Sequence, residues 1–292
     1  ISGLPEDTPL LFYRKGYAKV QQYKKLQVYK ALIDRKPSMI LLAEIKDAHA
    51  TSLSGSPFGS FLLLQDVSVE TVKKFLAYIT GHLRRKMVKT LDIVQPSPIF
   101  GPFPRLEAFQ FFHLAHQDLN QHIDLRSNFE SSLHSMEARK LKAAIKNGIE
   151  CLEEDHAALP QAHQFIAECR EQNGLKINIS LDKLQALFKT FPDTYKIFSA
   201  YQGDQRLATT ITCQVTPKIA YYYLPATAEA SKHLSPMVPL LHHIASHYKL
   251  SGANTLDLGI ASVEGKKQEG LFTFKERMGA IHTHKSTYRL QL

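Results

Sequence analysis

Lys275 and Asp257 are the residues of this chain whose types and setting best suit reaction chemistry. Asp257 sits in Leu256-Asp257-Leu258-Gly259-Ile260, and Lys275 in Gly270-Leu271-Phe272-Thr273-Phe274-Lys275-Glu276-Arg277-Met278-Gly279. The first run predicts a buried strand, and the polar stretch from Ser262 to Glu269 a loop over its carboxyl end. The second predicts an amphipathic helix with Gly279 as its C-terminal cap. Ligands in open α/β sheets gather at that end of the strands. One segment therefore brings an acid, a base and two permissive glycines towards one cleft. The competing explanations are structural: Lys275 as a solvated helix lysine, Asp257 as a turn cap or partner of a nearby basic group, Gly259 as a strand-end turn.

Tyr221, Tyr222 and Tyr223 are the next candidates. On a strand they alternate, so Tyr222 points opposite to its neighbours. One face packs in the core, and the other lines a cleft where a phenol could bind substrate or act as a general acid. Tyr222 is the candidate for catalysis beside Lys275 and Asp257, with Tyr221 and Tyr223 as candidate substrate contacts. Fourteen histidines invite a metal reading, and His243 and His247 stand four apart on a predicted helix. Neither belongs to a His-Glu-x-x-His pattern and no third ligand is placed by spacing, so no metal site is expected. Cys213, between threonines on a strand, is expected to be buried. No Gly-x-Ser-x-Gly, phosphate-binding loop or dinucleotide glycine pattern occurs.

Three regions position these residues: 1–125, a helical arm over 126–147, and 148–292. In the first, strand-like runs cover Met39 to Ile45, Phe61 to Gln65 and Thr90 to Val94. The best helix runs from Val69 to Arg85, with Ser68 placed to cap it and Glu70 in its first turn. Gln95 to Pro104 is a proline-rich loop. In the arm, Leu133, Met136, Leu141, Ala144 and Ile145 share one helix face, opposite Arg139, Lys142 and Lys146. That basic stripe could hold phosphates or simply face water.

The third region reads as strand, helix, helix, three strands, helix, strand, helix, strand. Gly203-Asp204 makes the turn of a hairpin, and Pro236 opens a helix that Ser235 is placed to cap. The fold class is α/β with a mixed sheet and helices on its faces.

At 292 residues two domains are expected. Three scattered cysteines exclude a disulfide framework and fit a reducing cytoplasm. No apolar run reaches the ~18 residues of a membrane span. No charged-then-apolar leader opens at Ile1, and the absent initiator Met hints at a trimmed or renumbered start. A net charge of +9 favours polyanionic partners such as nucleic acid, nucleotide phosphates or an anionic membrane face.

The order of elements is similar to the GNAT acyltransferase fold, and two such units in tandem, joined by a basic helical arm, resemble the FemAB-like peptidyltransferases. The likeness is carried in order by Ser56-Pro57-Phe58-Gly59, then Asn128-Phe129, Leu133-His134, Arg139-Lys140-Leu141-Lys142 and Lys146-Asn147-Gly148. Tyr221-Tyr222-Tyr223, Asp257-Leu258-Gly259 and Gly270 to Lys275 with Gly279 complete it. It implies amide-forming transfer of an acyl or aminoacyl group to an amine, in the second unit. On that resemblance Lys275 helps stabilise the reacting carbonyl, a sensible place for a cation because negative charge develops there. Asp257 then orients Lys275 or the incoming amine, while Arg139, Lys142, Lys146, Tyr221 and Tyr223 are substrate contacts.

The resemblance implies aminoacyl-tRNA or acyl-CoA as donor, and no cofactor is firmly implied. Two departures stand out: Met278 replaces the more usual aromatic residue, and Pro225 to Leu234 contains no glycine. A coenzyme-A enzyme commonly cradles pyrophosphate there on a glycine-rich turn, so acetyl-CoA is the less favoured donor. The alternative is a catalytically silent binding module that keeps the fold.

Overall fold

The computed structural model describes residues 4, 6, 8–101 and 109–292. The opening at Ile1 and residues 102–108 of the proline-rich loop lie outside the described residues. In chain order the elements are α1 (Lys15–Gln21), β1 (Leu26–Ile33), β2 (Lys36–Lys46), β3 (His49–Ser52), β4 (Leu62–Leu63), α2 (Val69–Arg85), β5 (Thr90–Val94) and β6 (His113–Asp124). They continue with α3 (Ser135–Lys146), β7 (Ile149–Glu154), α4 (Leu159–Gln172), α5 (Leu181–Thr190), β8 (Tyr195–Gln202), β9 (Gln205–Thr216), β10 (Ile219–Thr227) and α6 (Met237–Leu250). Last come β11 (Thr255–Ile260), β12 (Ser262–Val263), β13 (Lys266–Lys267), α7 (Glu269–Arg277) and β14 (Ile281–Gln291).

Two compact units result. The first comprises 1–119, 262–267 and 283–292; the second comprises 120–261 and 268–282. In the first, strands run in the order β1-β2-β3-β5-β14, with β4 on β2. All neighbours are antiparallel except β3 and β5. Helix α2 makes the crossover between that parallel pair, which a hairpin cannot join. Its inner face buries Val72, Phe75, Leu76, Ile79 and Leu83. Ser68 caps it as expected, its Oγ accepting from Thr71 N–H at 3.2 Å.

The second unit repeats the arrangement. Its order is β6-β11-β10-β9-β8-β7, antiparallel except for β10 with β11. Helix α6 makes that crossover and buries Leu240, Leu241, Ile244 and Tyr248 in a core with Phe198, Leu256 and Leu258. Each unit takes its last strand from a distant part of the chain. β14 pairs with β5 in the first, and β6 with β11 in the second.

Several expectations change. The helix opened by Pro236 starts at Met237, and Ser235 makes no side-chain cap; it sits in a left-handed turn at φ 52°. The basic helix α3 packs within the second unit, with Ala144 and Leu141 against its core. Ile145 is exposed instead of sharing that face, and Glu137 is buried in its place. The loop from Ser262 to Glu269 contains the β12–β13 hairpin. Strands β1, β3 and β6 and helix α1 have no counterpart in the sequence pattern. No described helix is long and apolar enough to cross a membrane.

Candidate active site

The feature that builds the site is a fork between two strands of the second unit. The β10–β11 pairing runs Ile219↔Thr255, Ala220↔Leu256, Tyr221↔Asp257 and stops there. β10 continues to Thr227 and β11 to Ile260. Both strands carry a register shift just past the fork, between Tyr222 and Leu224 on the β9 side and between Asp257 and Gly259 on the β6 side. Such bulges bend a strand and sharpen its twist, which drives the two apart. Among the described residues no backbone hydrogen bond joins Tyr222–Thr227 to Leu258–Ile260.

The equivalent place in the first unit is filled. There the parallel β3–β5 pairing ends at Thr51↔Asp92. Ser52 Oγ accepts from Val94 N–H at 2.9 Å, and Gly59 N–H donates to Val94 O at 3.0 Å. The Pro57-Phe58-Gly59 turn thus plugs that fork. Only glycine fits, because a Cβ on Gly59 would lie 2.3 Å from Leu53 Cβ and 2.5 Å from Ser52 O. The open fork is in the second unit.

Lys275, on α7, reaches the end of β11. It is 3% exposed, and its Nζ donates to Gly259 O at 3.0 Å and Ile260 O at 2.9 Å. It thereby satisfies carbonyls on the splayed end of β11, where buried backbone acceptors need partners. Burial brings its pKa down to about 8, partly opposed by Asp257. Asp257 is also buried, and its Oδ1 accepts from Asn120 Nδ2 at 2.7 Å and Gly259 N–H at 3.0 Å. Gly259 is required by its backbone, at φ +72°, and a Cβ there would lie 3.1 Å from Tyr221 Oη.

The three tyrosines divide as alternation demands, but the catalytic candidate falls on the core face. Tyr222 is 5% exposed and packs with the α6-side core, its hydroxyl donating to Met237 Sδ. It does not join Lys275. Tyr221 and Tyr223 occupy the other face, with ring centroids 6.0 Å apart. Burial raises both phenol pKa values, and at Tyr221 the Asp257 charge adds to the rise. Arg139, Lys142 and Lys146 are exposed on α3 and make no ion pair among the described residues.

Two contributors had no sequence signal. Strand β6 supplies Asn120 to Asp257, and Gln121, wholly buried, whose Nε2 donates to Phe272 O at 3.1 Å at the start of α7. Its sequence, with three His, two Gln, two Asp and one Asn in twelve residues, hides the period-two pattern that marks a half-buried strand. The other is Arg170 on α4, half-buried, its Nε without a hydrogen-bond partner among the described residues. It interacts electrostatically with the Tyr223 phenol, while burial lowers its pKa.

Other candidates resolve structurally. Cys213 is buried and its thiol is pushed up by burial. His247 Nδ1 lies 3.4 Å from Glu153, and among the described residues no three His, Cys, Asp or Glu side chains gather as a metal set.

Residues 135–275 match the family model described as an acetyltransferase (GNAT) domain. This chain has the GNAT fold. Comparison with solved structures extends the likeness over nearly its whole length. FemX matches with a TM-score of 0.71 at 11% identity, covering 98% of this chain and 92% of that one. The C-terminal domain of a putative lysylphosphatidylglycerol synthetase from Agrobacterium fabrum matches at 0.65 and 12% identity, covering 95% and 88%. A tandem GNAT protein from the clavulanic acid biosynthesis pathway matches at 0.55 and 9% identity, covering 92% and 84%. A search of curated protein sequences returns no match. The mixed α/β GNAT fold expected from the residues is the fold observed, and some of the structures it resembles are tandem GNAT proteins.

Proposed function

We propose that the second unit transfers an acyl or aminoacyl group to an amine at the fork between β10 and β11. The observation that carries this is the pairing that stops at Tyr221↔Asp257 while both strands run on. The β10 edge freed in this way can receive the amide and carbonyl groups of a substrate, while the Gly259 and Ile260 carbonyls of β11 are held by Lys275. In the reaction the amine nitrogen attacks an ester or thioester carbonyl. The C–N bond forms, the bond to the leaving oxygen or sulfur breaks, and the amine proton leaves with the alcohol or thiol. Negative charge builds on the carbonyl oxygen between these events.

Lys275 suits that charge. An ammonium has three N–H donors, and two are committed to Gly259 O and Ile260 O. The third would serve the carbonyl oxygen, while Asp257, held by Asn120, orients the amine. Tyr221, Tyr223 and the Arg170 guanidinium would contact the acceptor, and Tyr222 would support β10 from beneath.

The start of α6 argues for an aminoacyl ester over coenzyme A. Pro236 and Pro239 have no N–H, Val238 N–H donates to Ser235 O, and Leu240 N–H donates to Pro236 O. Helix N-termini bind phosphate through free N–H groups, and here at most Met237 offers one. A neighbour named as a lysylphosphatidylglycerol synthetase also supports an aminoacyl donor. The stripe of Arg139, Lys142 and Lys146 would then hold the polyanionic carrier.

The test offers the protein charged aminoacyl-tRNA and, separately, acetyl-CoA, with a panel of amine acceptors. Amide formation from the tRNA ester is expected, lowered about 100-fold in Lys275→Met, an oxyanion-donor-sized loss. Turnover unaffected by that change would remove Lys275 from the chemistry. No turnover, with no saturable binding of either donor, would establish the silent module; the bonding of Lys275 to two backbone carbonyls is the observation that favours that second reading.

A further inference from the structure

The first unit carries a groove that the proposed reaction does not use. Its long wall is one stripe of α2: Glu70, Lys73, Lys74, Ala77, Thr80 and Arg84. Leu76, Phe111, Phe112 and Leu290 complete it, and its volume is about 540 Å³. That volume falls within the usual range for small-molecule sites. The stripe spans ~21 Å of helix axis between Glu70 and Arg84, a length that suits an extended acyl chain. Apolar groups dominate the lining, and Phe111 is 78% exposed, a large apolar side chain left to water beside a groove.

The charges are uneven. Lys74 lies 4.0 Å from Glu70 and is partly neutralised. Lys73 and Arg84 make no ion pair among the described residues. The groove therefore offers an apolar trough with an unpaired cation at its Arg84 end and a second, Lys73, about one turn in from Glu70. We infer that it binds a single-chain anionic amphiphile, a long-chain carboxylate, with the chain over Ala77, Phe111, Phe112 and Leu290 and the carboxylate at Arg84 or Lys73. A neutral chain would leave the cations unused, and a short anion would leave the trough wet. The charge complementarity selects the amphiphile.

The chain has no Trp, so a fluorescent polyene fatty acid can be titrated into the full protein without indole background. Saturable binding below the micellar concentration is expected, with displacement by palmitate but not by butyrate or hexadecanol. Ala77→Phe, at an exposed helix position, should fill the trough and weaken binding about tenfold or more, a loss of about 1.4 kcal/mol. Arg84→Glu combined with Lys73→Glu should weaken it comparably while leaving the melting temperature within 2–3 °C of wild type, as surface changes do. Absence of saturable binding, equal displacement by hexadecanol, or indifference to both sets of changes would overturn the inference. So would competition by an acidic amphipathic peptide without any binding of palmitate.

Discussion

Lys275 shows what burial does to a single charge. Its ordinary pKa of 10.5 falls to about 8 because the ammonium is desolvated. Above pH ~8 the folded protein releases this proton, whereas the unfolded chain keeps it until pH ~10.5. The unfolded state thus binds more protons in that window, and stability rises with pH across it. Below pH 8 both states are protonated and the full cost of the buried charge is present. Urea unfolding from pH 7 to 10.5 should therefore show wild type gaining on Lys275→Met as pH rises. A constant difference between the two would mean that the lysine titrates normally. The same residue predicts the catalytic profile. The third N–H is lost on deprotonation, so the rate advantage of wild type over Lys275→Arg should shrink as pH passes 8. The resemblance carried by Phe-Lys-x-x-x-Gly singled out Lys275 in the sequence, but nothing there pointed to Asn120 on Asp257 or to Arg170 near Tyr223. Asn120 and Arg170 lie more than 80 residues away from Lys275 in the chain, and only the tertiary fold brings polar side chains together over such separations.

At the scale of elements, the two forks each require a glycine, for different reasons. Gly259→Ala places a β-carbon at φ +72°, 3.1 Å from Tyr221 Oη. The left-handed conformation costs about 1–2 kcal/mol for an L-residue, and the tyrosine must give way. Chemical denaturation should show that loss, and the rate of amide formation should fall further than stability alone explains because the fork is rebuilt. Gly59→Ala should behave differently, costing at least the 1–3 kcal/mol of an overpacked site without changing the acceptor preference of the second unit. A change in that preference would contradict the view that the first fork is plugged. The elements legible in sequence were those with strong periodicity or turn chemistry: α2 with its Ser68 cap, the β8–β9 hairpin at Gly203-Asp204, and β11 with α7. Strand β6 was hidden because buried Asp118, Asn120 and Gln121 are polar. Each has a hydrogen-bond partner that no local pattern reveals: Ser262, Asp257 and the Phe272 carbonyl. The fork itself is a register event, and a one-residue shift in pairing leaves no mark on composition.

The charge of the whole molecule, +9 from 36 basic and 27 acidic residues, bears on the donor. If the donor is carried on tRNA, phosphate contacts release counterions, and log K should fall linearly with log salt. Each contact contributes roughly 0.7–0.9 to that slope. Arg139, Lys142 and Lys146 are exposed along α3, so their replacement by Ala should reduce the slope by up to roughly 2–3 with little change in unfolding midpoint. Binding of aminoacyl-tRNA measured from 50 to 300 mM salt distinguishes this from a diffuse attraction to a basic surface. Diffuse attraction would leave the slope nearly unchanged, since three charges of thirty-six are a small part of the total. A free acyl-CoA donor would give a shallow slope in wild type and variant alike, because it carries few phosphates. The steep and α3-dependent slope is the outcome expected of an aminoacyl-tRNA enzyme, and its absence would move the donor away from nucleic acid.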